Sequence, residues 1–346
     1  MLLSLGGFLL VIGLSVVAHE LGHFLAARSV GVKVFEFSLG MGPLLFSTDL
    51  MGTRFSIRAI PLGGFVRLAG MEEGAGETFA PGEGFNDRGP VSRIWVLSAG
   101  SLTNALVAVL VFSLYLSLHG VYDLSGAVVG AVAKSSPAEG AGLLPGDVIL
   151  EVEGVRVRDW ADLSSSIARM GEKGDLALAV SRRGKVLSVN VRARFNSELG
   201  RYVIGISPPL VRYGPLEAFL RSIVYSARAG AEMVRGVVRA FTREGGVDVS
   251  GPVGIAVIAG RAMSQGLWAF LSFLAALSLN LGIINLFPLP ALDGGRIAFV
   301  LLEVMGLKLD SRKENLVHTL GFLLLVLVIA YVTWGDLVRL WRGDGY

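Results

Sequence analysis

Two histidines four residues apart, His19 and His23, enclose a glutamate, Glu20, in the run His-Glu-Leu-Gly-His. On a helix, residues at i and i+4 lie one turn apart on one face, so both imidazoles can point at a single metal ion. The neighbouring carboxylate then reaches a water held by that ion. This is the arrangement of zinc peptidases, in which the metal lowers the pKa of the water and the carboxylate takes its proton as a carbonyl carbon is attacked. Two histidines leave a catalytic zinc one protein ligand short. The candidate third ligand is Asp293, near the end of Asn-Leu-Gly-Ile-Ile-Asn-Leu-Phe-Pro-Leu-Pro-Ala-Leu-Asp-Gly-Gly over 280–295. A helix N-cap before 294–305 is the competing role for this aspartate. Asn285 of the same run offers a carboxamide to substrate or to a developing oxyanion. His119 and His318 fall at ends of apolar segments, where interfacial anchoring accounts for them, and neither is assigned to the metal.

The elements that must hold these groups are apolar. Glu20 is the sole charged side chain in 1–27, and an ionisable group at membrane depth is costly enough to be functional by default. Hydrophobic residues make up 53% of the chain and charged residues 17%, with a mean hydropathy of +0.63, beyond the range of a soluble domain. Four segments, 2–27, 94–118, 267–287 and 316–334, are long and apolar enough to span a bilayer. The first lacks a basic leader and a small-residue cleavage site and is expected to be retained. Pro288 and Pro290 cannot continue a helix, so the third segment breaks just before Asp293; exposed backbone at that depth is tolerated where it lines a site or is buried in protein.

Lys+Arg number 31 against 28 Asp+Glu, too mild an excess to argue for nucleic acid. Its placement sets orientation: Arg28, Arg88, Arg93, Arg296, Arg312 and Lys313 flank one side of the spans, which puts 31–92 and 291–315 in the cytoplasm and both termini and 120–266 outside. Arg339 and Arg342 point the other way. Cysteine is absent, so no thiolate can act as nucleophile or ligand and no disulfide braces the outer segment.

Between spans one and two, 53–60 alternates in strand fashion, 61–64 (Pro-Leu-Gly-Gly) turns, and 65–68 reads as a returning strand. The expected hairpin or sheet is either an ordinary surface hairpin or an edge that dips toward the site and binds extended substrate by β-addition. Residues 71–89 read as a Gly-rich acidic loop. From 120 to about 209, short strands punctuated by glycine suggest a separate α+β domain. Ser-Pro-Ala at 136–138 followed by Ala-Gly-Leu-Leu-Pro-Gly-Asp-Val-Ile at 141–149 resembles a PDZ domain of the bacterial protease type. That resemblance implies a peptide groove at Leu124, Ser125, Gly126, Ala127 and Val128, or else a spacer that excludes bulky proteins. Residues 215–242 have helical amphipathic spacing, suited to a membrane-surface helix or to packing on the inserted domain.

With His-Glu-Leu-Gly-His in span one and Asn-Leu-Phe-Pro-Leu-Pro-Ala-Leu-Asp-Gly-Gly after span three, the chain resembles the site-2 proteases, closest to the bacterial regulator of sigma-E protease group but with a single PDZ domain. Segments 37–43, 60–67, 98–104 and 250–254 are also similar to that family, although Ser101 stands where the family usually has proline. The resemblance implies an α-helical polytopic membrane protein with about four transmembrane helices, a membrane-reentrant β-hairpin or sheet and one inserted PDZ-like domain. Its parts are 1–119, the first membrane half; 120–209, the PDZ-like domain; 210–266, a helical linker; and 267–346, the second membrane half. It further implies a zinc intramembrane endopeptidase of the bacterial cytoplasmic membrane, holding one Zn2+ through His19, His23 and Asp293 with Glu20 as base. Asn285, Pro288, Pro290, Gly63, Gly64 and Phe65 would bind substrate. Expected partners are single-pass transmembrane proteins, such as anti-sigma factors or remnant signal peptides, and membrane lipid, with no nucleic acid. The rival reading is a non-catalytic membrane-bound PDZ scaffold or chaperone of the same fold.

Overall fold

The computed structural model describes residues 2–71, 78–197, 199–242, 251–307 and 311–342. Part of the loop expected over 71–89, part of the linker before 251, and Ser250 of the 250–254 segment lie outside them. Two compact units emerge, 116–214 in one and the remainder of the chain in the other.

The larger unit begins with α1 (Leu2–Ser29), a mostly apolar helix without proline that carries the His-Glu-Leu-Gly-His segment. A sheet follows, formed by β1 (Val34–Leu50) and β2 (Thr53–Leu68), both bent so that they make four segments, with 36–39 running antiparallel to 64–67 and in the same direction as 54–57. Residues 36–39 are paired on both sides, with 54–57 on one flank and 64–67 on the other, while 44–50 pairs with 53–58. The expected hairpin is corrected on one point: 53–60 and 65–68 do not pair with each other, because the 34–39 segment lies between them. Glu36 explains why that central segment is stable despite a buried carboxylate (4% exposed). Its Oε1 accepts from Ser56 Oγ at 2.6 Å and from Arg58 Nη2 at 2.7 Å, and its Oε2 accepts from Arg67 Nη2 at 3.2 Å, so the neighbouring segments are tied to it. Helix α2 (Pro90–Leu114) starts with proline at its first turn, where a missing N–H costs nothing, and continues into a π turn over Tyr115–His119.

The smaller unit has short strands β3 (Val121–Tyr122) and β4 (Ala131–Val132), then α3 (Pro137–Gly140), β5 (Val148–Val152), β6 (Val155–Arg156) and α4 (Trp160–Met170). Strands β7 (Asp175–Arg182), β8 (Lys185–Arg192), β9 (Arg194–Asn196), β10 (Arg201–Val203), β11 (Ile206–Ser207) and β12 (Leu210–Val211) complete it. Strands β6, β5, β7 and β8 form one antiparallel sheet in that order, and Val129, Ile149, Leu163, Leu176, Leu178 and Ile204 are among the side chains of its core. Asp147 is buried beside this core, its two carboxylate oxygens each 2.7 Å from the Arg182 guanidinium. That fork-to-fork pair holds the Asp147 carboxyl below the usual carboxylate range.

The larger unit resumes with α5 (Pro215–Thr242) and α6 (Pro252–Ser264), then α7 (Leu267–Asn285), α8 (Asp293–Val304) and α9 (Ser311–Arg342). Among the described residues, four helices are long and apolar enough to cross a membrane: 4–29, 90–119, 267–285 and 313–342. Asp336 of α9 is buried and accepts from the backbone N–H groups of Gly251 and Gly254 at 3.2 and 2.8 Å, satisfying donors at the start of α6.

Candidate metal centre

Helix α1 presents both histidines on one face, with His19 Nε2 and His23 Nε2 3.1 Å apart. Helix α7 ends at Asn285 and the chain crosses an irregular Leu286–Leu292 segment before α8 starts, as the two prolines require. Asp293 is the first residue of α8. Leu292 holds the cap position, with no side-chain cap bond, and Asp293 Oδ2 instead faces the imidazoles, 3.1 Å from His19 Nε2 and 3.3 Å from His23 Nε2. That oxygen is buried and has no hydrogen-bond partner. A tetrahedral zinc with ligands about 2.1 Å away separates its ligand atoms by about 3.4 Å, so three converging lone-pair atoms with edges of 3.1, 3.1 and 3.3 Å fit such an ion. Among the described residues, His19, His23 and Asp293 are the group of His and carboxylate side chains close enough to hold a metal.

The glycines after Asp293 explain how α8 can start there. A Cβ on Gly294 would lie 2.3 Å from the carbonyl oxygens of Leu286 and Phe287, and one on Gly295 would lie 2.2 Å from Leu289 O, so only a bare backbone lets the helix start against the broken segment. Ala291 takes a left-handed backbone (φ 75°) and donates its N–H to His318 Nδ1 of α9 at 3.0 Å. His318 is thus tied to the aspartate loop, a role beyond the interfacial anchoring expected for it, while Gly321 one turn on packs against Pro290.

Glu20 interacts electrostatically with His23, His19 and Asp293. The 64–68 segment runs beside it: a Cβ on Gly64 would lie 3.1 Å from Glu20 Cγ and 3.2 Å from a Val16 methyl. Among the described residues no further strand pairs with the outer side of 64–68, so a sheet edge passes the glutamate. Gly63 precedes it with φ 89°, and the Phe65 ring stacks under the Arg58 guanidinium. Asn285 Nδ2 lies 3.4 Å from His19 Nε2, which brings that carboxamide to the same place; Pro288 is exposed and Pro290 half-buried on the adjoining loop.

Three participants carried no signal in their own sequence context. Val96 O lies 2.8 Å from His23 Nδ1, Asn104 Nδ2 lies 3.4 Å from His19 Nδ1, and Gly100 lies between them under both rings. All three belong to α2, whose apolar composition hides which face meets α1. The 98–104 similarity to the family is the one feature that marked this segment.

In the smaller unit, Leu124–Val128 is not at an open sheet edge. Ala127 is in the core, Ile149 N donates to Ala127 O, Val128 bridges Val148, and the following residues pair with 205–207. A cavity of about 260 Å³ instead lies between α4 and 201–206, lined by Trp160, Leu163, Ile167, Tyr202, Ile204 and Ile206.

The His-His-Asp cluster beside a glutamate fits a zinc peptidase centre, and comparison with known proteins shows the chain to be a zinc metalloendopeptidase. Residues 7–328 match the model of peptidase family M50, and the chain belongs to that family, the site-2 proteases. It is 32% identical to zinc metalloprotease RasP of Geobacillus kaustophilus over 97% of this chain and 98% of that protein. Similarity to proteins described as zinc metalloproteases reaches 34% identity in Fusobacterium nucleatum, over 96% of this chain and 98% of the relative, and 33% in Clostridium acetobutylicum, over 95% and 96%. Among solved structures, the PDZ domain of an SdrC-like protein from Listeria monocytogenes is similar at 20% identity, covering 25% of this chain and 90% of that one with a TM-score of 0.23. With its apolar helices, the family makes this a multi-pass membrane protein.

Proposed function

We propose that the chain hydrolyses peptide bonds within transmembrane segments of single-pass proteins, in regulated intramembrane proteolysis at a bacterial cytoplasmic membrane. The observation that carries this reading is that His19 and His23 lie within a helix apolar enough to span and meet Asp293, at the start of α8 beyond the broken end of a second such helix, with a sheet edge beside Glu20. His19, His23 and Asp293 would hold one zinc ion. When bound, zinc would supply Lewis-acid chemistry to the scissile carbonyl and make the attacking water readier to give up a proton. Glu20 accepts that proton and returns it to the leaving nitrogen, and Asn285 donates to the oxygen that gains charge. A substrate helix hides its carbonyls in i to i−4 hydrogen bonds and must unwind first. The 64–68 edge, with Gly63, Gly64 and Phe65, offers backbone partners to the unwound strand, and Pro288 and Pro290 keep the facing loop from closing into a helix. The 116–214 unit acts as a filter, excluding bulky substrates or holding a peptide in the groove between α4 and 201–206. Helix α5 packs against α2 and α7 through Tyr225, Ala229, Gly230 and Met233, and its other face would meet lipid.

The test is cleavage of a single-pass substrate in reconstituted membranes, with the cut mapped by mass spectrometry. The reading expects cuts inside the transmembrane segment, faster when a helix-breaking residue is placed beside them. Cuts confined to the water-exposed parts would overturn it.

A further inference from the structure

A neutral imidazole offers a lone pair at one ring nitrogen while the other carries the proton, so a histidine that faces a metal needs an acceptor behind it. For His23 that acceptor is Val96 O, 2.8 Å from Nδ1, which leaves Nε2 as the lone pair turned toward Asp293. His19 also turns Nε2 toward Asp293 and His23, so its proton belongs on Nδ1. The polar group behind that nitrogen is the side chain of Asn104, 3.4 Å away and fully buried. With Nδ2 toward the ring, N–H would meet N–H, and the imidazole could accept only by moving its proton to Nε2, where it blocks a ligand position. With the carboxamide turned over, a change of no volume, Oδ1 accepts from Nδ1–H. Oδ1 is free to do so, since it has no other partner.

Neighbouring elements hold Asn104 in place. Ser278 Oγ of α7 donates to the Asn104 backbone carbonyl at 3.1 Å, and Gly282 of α7 leaves room for the Asn104 Cβ, which a methyl at that glycine would approach to 3.2 Å. The side chain is therefore clamped between α7 and the ring of His19.

The geometry points to Asn104 as the positioning residue of His19: its Oδ1 fixes the tautomer and the ring plane that present Nε2 as a ligand. This rests on the reading of His19 as a metal ligand. Loss of such a partner behind a ligating histidine lowers metal affinity about 10- to 100-fold. The experiment uses the purified full-length protein and measures zinc affinity by chelator competition, together with the visible spectrum of the cobalt-substituted form. Asn104→Leu keeps the volume without an acceptor, Asn104→Ala removes the group in case leucine disturbs folding, and Asn104→Asp keeps an acceptor of the same reach. Leucine and alanine variants are expected to lose affinity in that range and to shift the cobalt bands, and Asn104→Asp to recover both. A buried asparagine that only packs would give an unchanged cobalt spectrum in the alanine variant, or equal losses in Asn104→Asp and Asn104→Leu, and either result overturns the proposal. A parallel His19→Ala sample separates the two levels: if it binds zinc as tightly as the wild type, the ligand reading itself has failed.

Discussion

Replacing Gly100 with alanine sets two expectations of opposite sign against each other. By helix propensity alone, alanine in place of glycine within α2 stabilises a helix by about 1 kcal/mol. The site demands the reverse for the metal. A Cβ at position 100 would lie 2.4 Å from His23 Nε2, 2.7 Å from His19 Cε1 and 2.8 Å from His19 Nδ1. Relaxed carbon contacts need about 3.5 Å, so both rings must retreat by about 1 Å. Metal sites tolerate about 0.2 Å in ligand distance, and the rings cannot swing aside while Val96 O holds one from behind. Overpacking of this kind costs about 1–3 kcal/mol, which at about 1.4 kcal/mol per decade lowers zinc affinity about 5- to 150-fold. The assay is zinc content and chelator competition on the purified variant, alongside thermal unfolding of the zinc-free protein. The expected outcome is weakened zinc binding in a protein whose zinc-free fold is intact. Wild-type zinc affinity in Gly100→Ala would refute the placement of α2 against the two histidines.

Three further outcomes are expected. His318→Leu removes the acceptor of the Ala291 N–H and frees the loop before Asp293, so zinc affinity should fall while insertion of α9 is unaffected; equal zinc affinity would show that the loop holds its shape without it. Arg182→Leu leaves the buried Asp147 carboxylate with the Leu144 N–H but without its charge partner, and should destabilise the smaller unit near neutral pH. Because the folded-state pKa of Asp147 is depressed, the pair's contribution is present above the unfolded value of about 3.9 and is lost as pH falls through the folded value. The difference in melting temperature between wild type and variant should therefore shrink below about pH 4, and a pH-independent difference would exclude this pair as its source. Replacing 125–207 with a short flexible linker should leave cleavage of a pre-trimmed substrate intact and admit some full-length substrates; loss of both with zinc still bound would make the unit a presenter of substrate and not a filter.

The candidate metal ligands were legible because their constraints are local or carried by breakers: the i, i+4 pair fixes one helix face, and Pro288 and Pro290 stop α7 just short of Asp293. The strand at 34–50 was not. Its Phe35, Phe37 and Leu39 alternate with Glu36 and Ser38, but Glu36 and Ser38 are themselves buried, so alternation does not report an inside and an outside. A segment paired on both sides by chain that comes later in sequence leaves no local trace. The supports of the histidines were hidden for a related reason. Asn104 and Val96 lie 85 and 73 residues from their imidazole partners, on a mostly apolar helix whose few polar side chains do not by themselves say which face meets α1 and which meets lipid. Likewise, His318 is read as an anchor until α9 is seen to pack on the Pro290–Ala291 turn.

The most direct test of the chemistry compares wild type and Glu20→Gln, purified side by side, for zinc content and for turnover of a transmembrane substrate in reconstituted membranes. Glutamine keeps the shape and leaves His19, His23 and Asp293 untouched, so zinc should remain at the wild-type level; an amide cannot take the proton, so cleavage should be abolished. Turnover by the Glu20→Gln protein at the wild-type rate would contradict the assignment of Glu20 as the base.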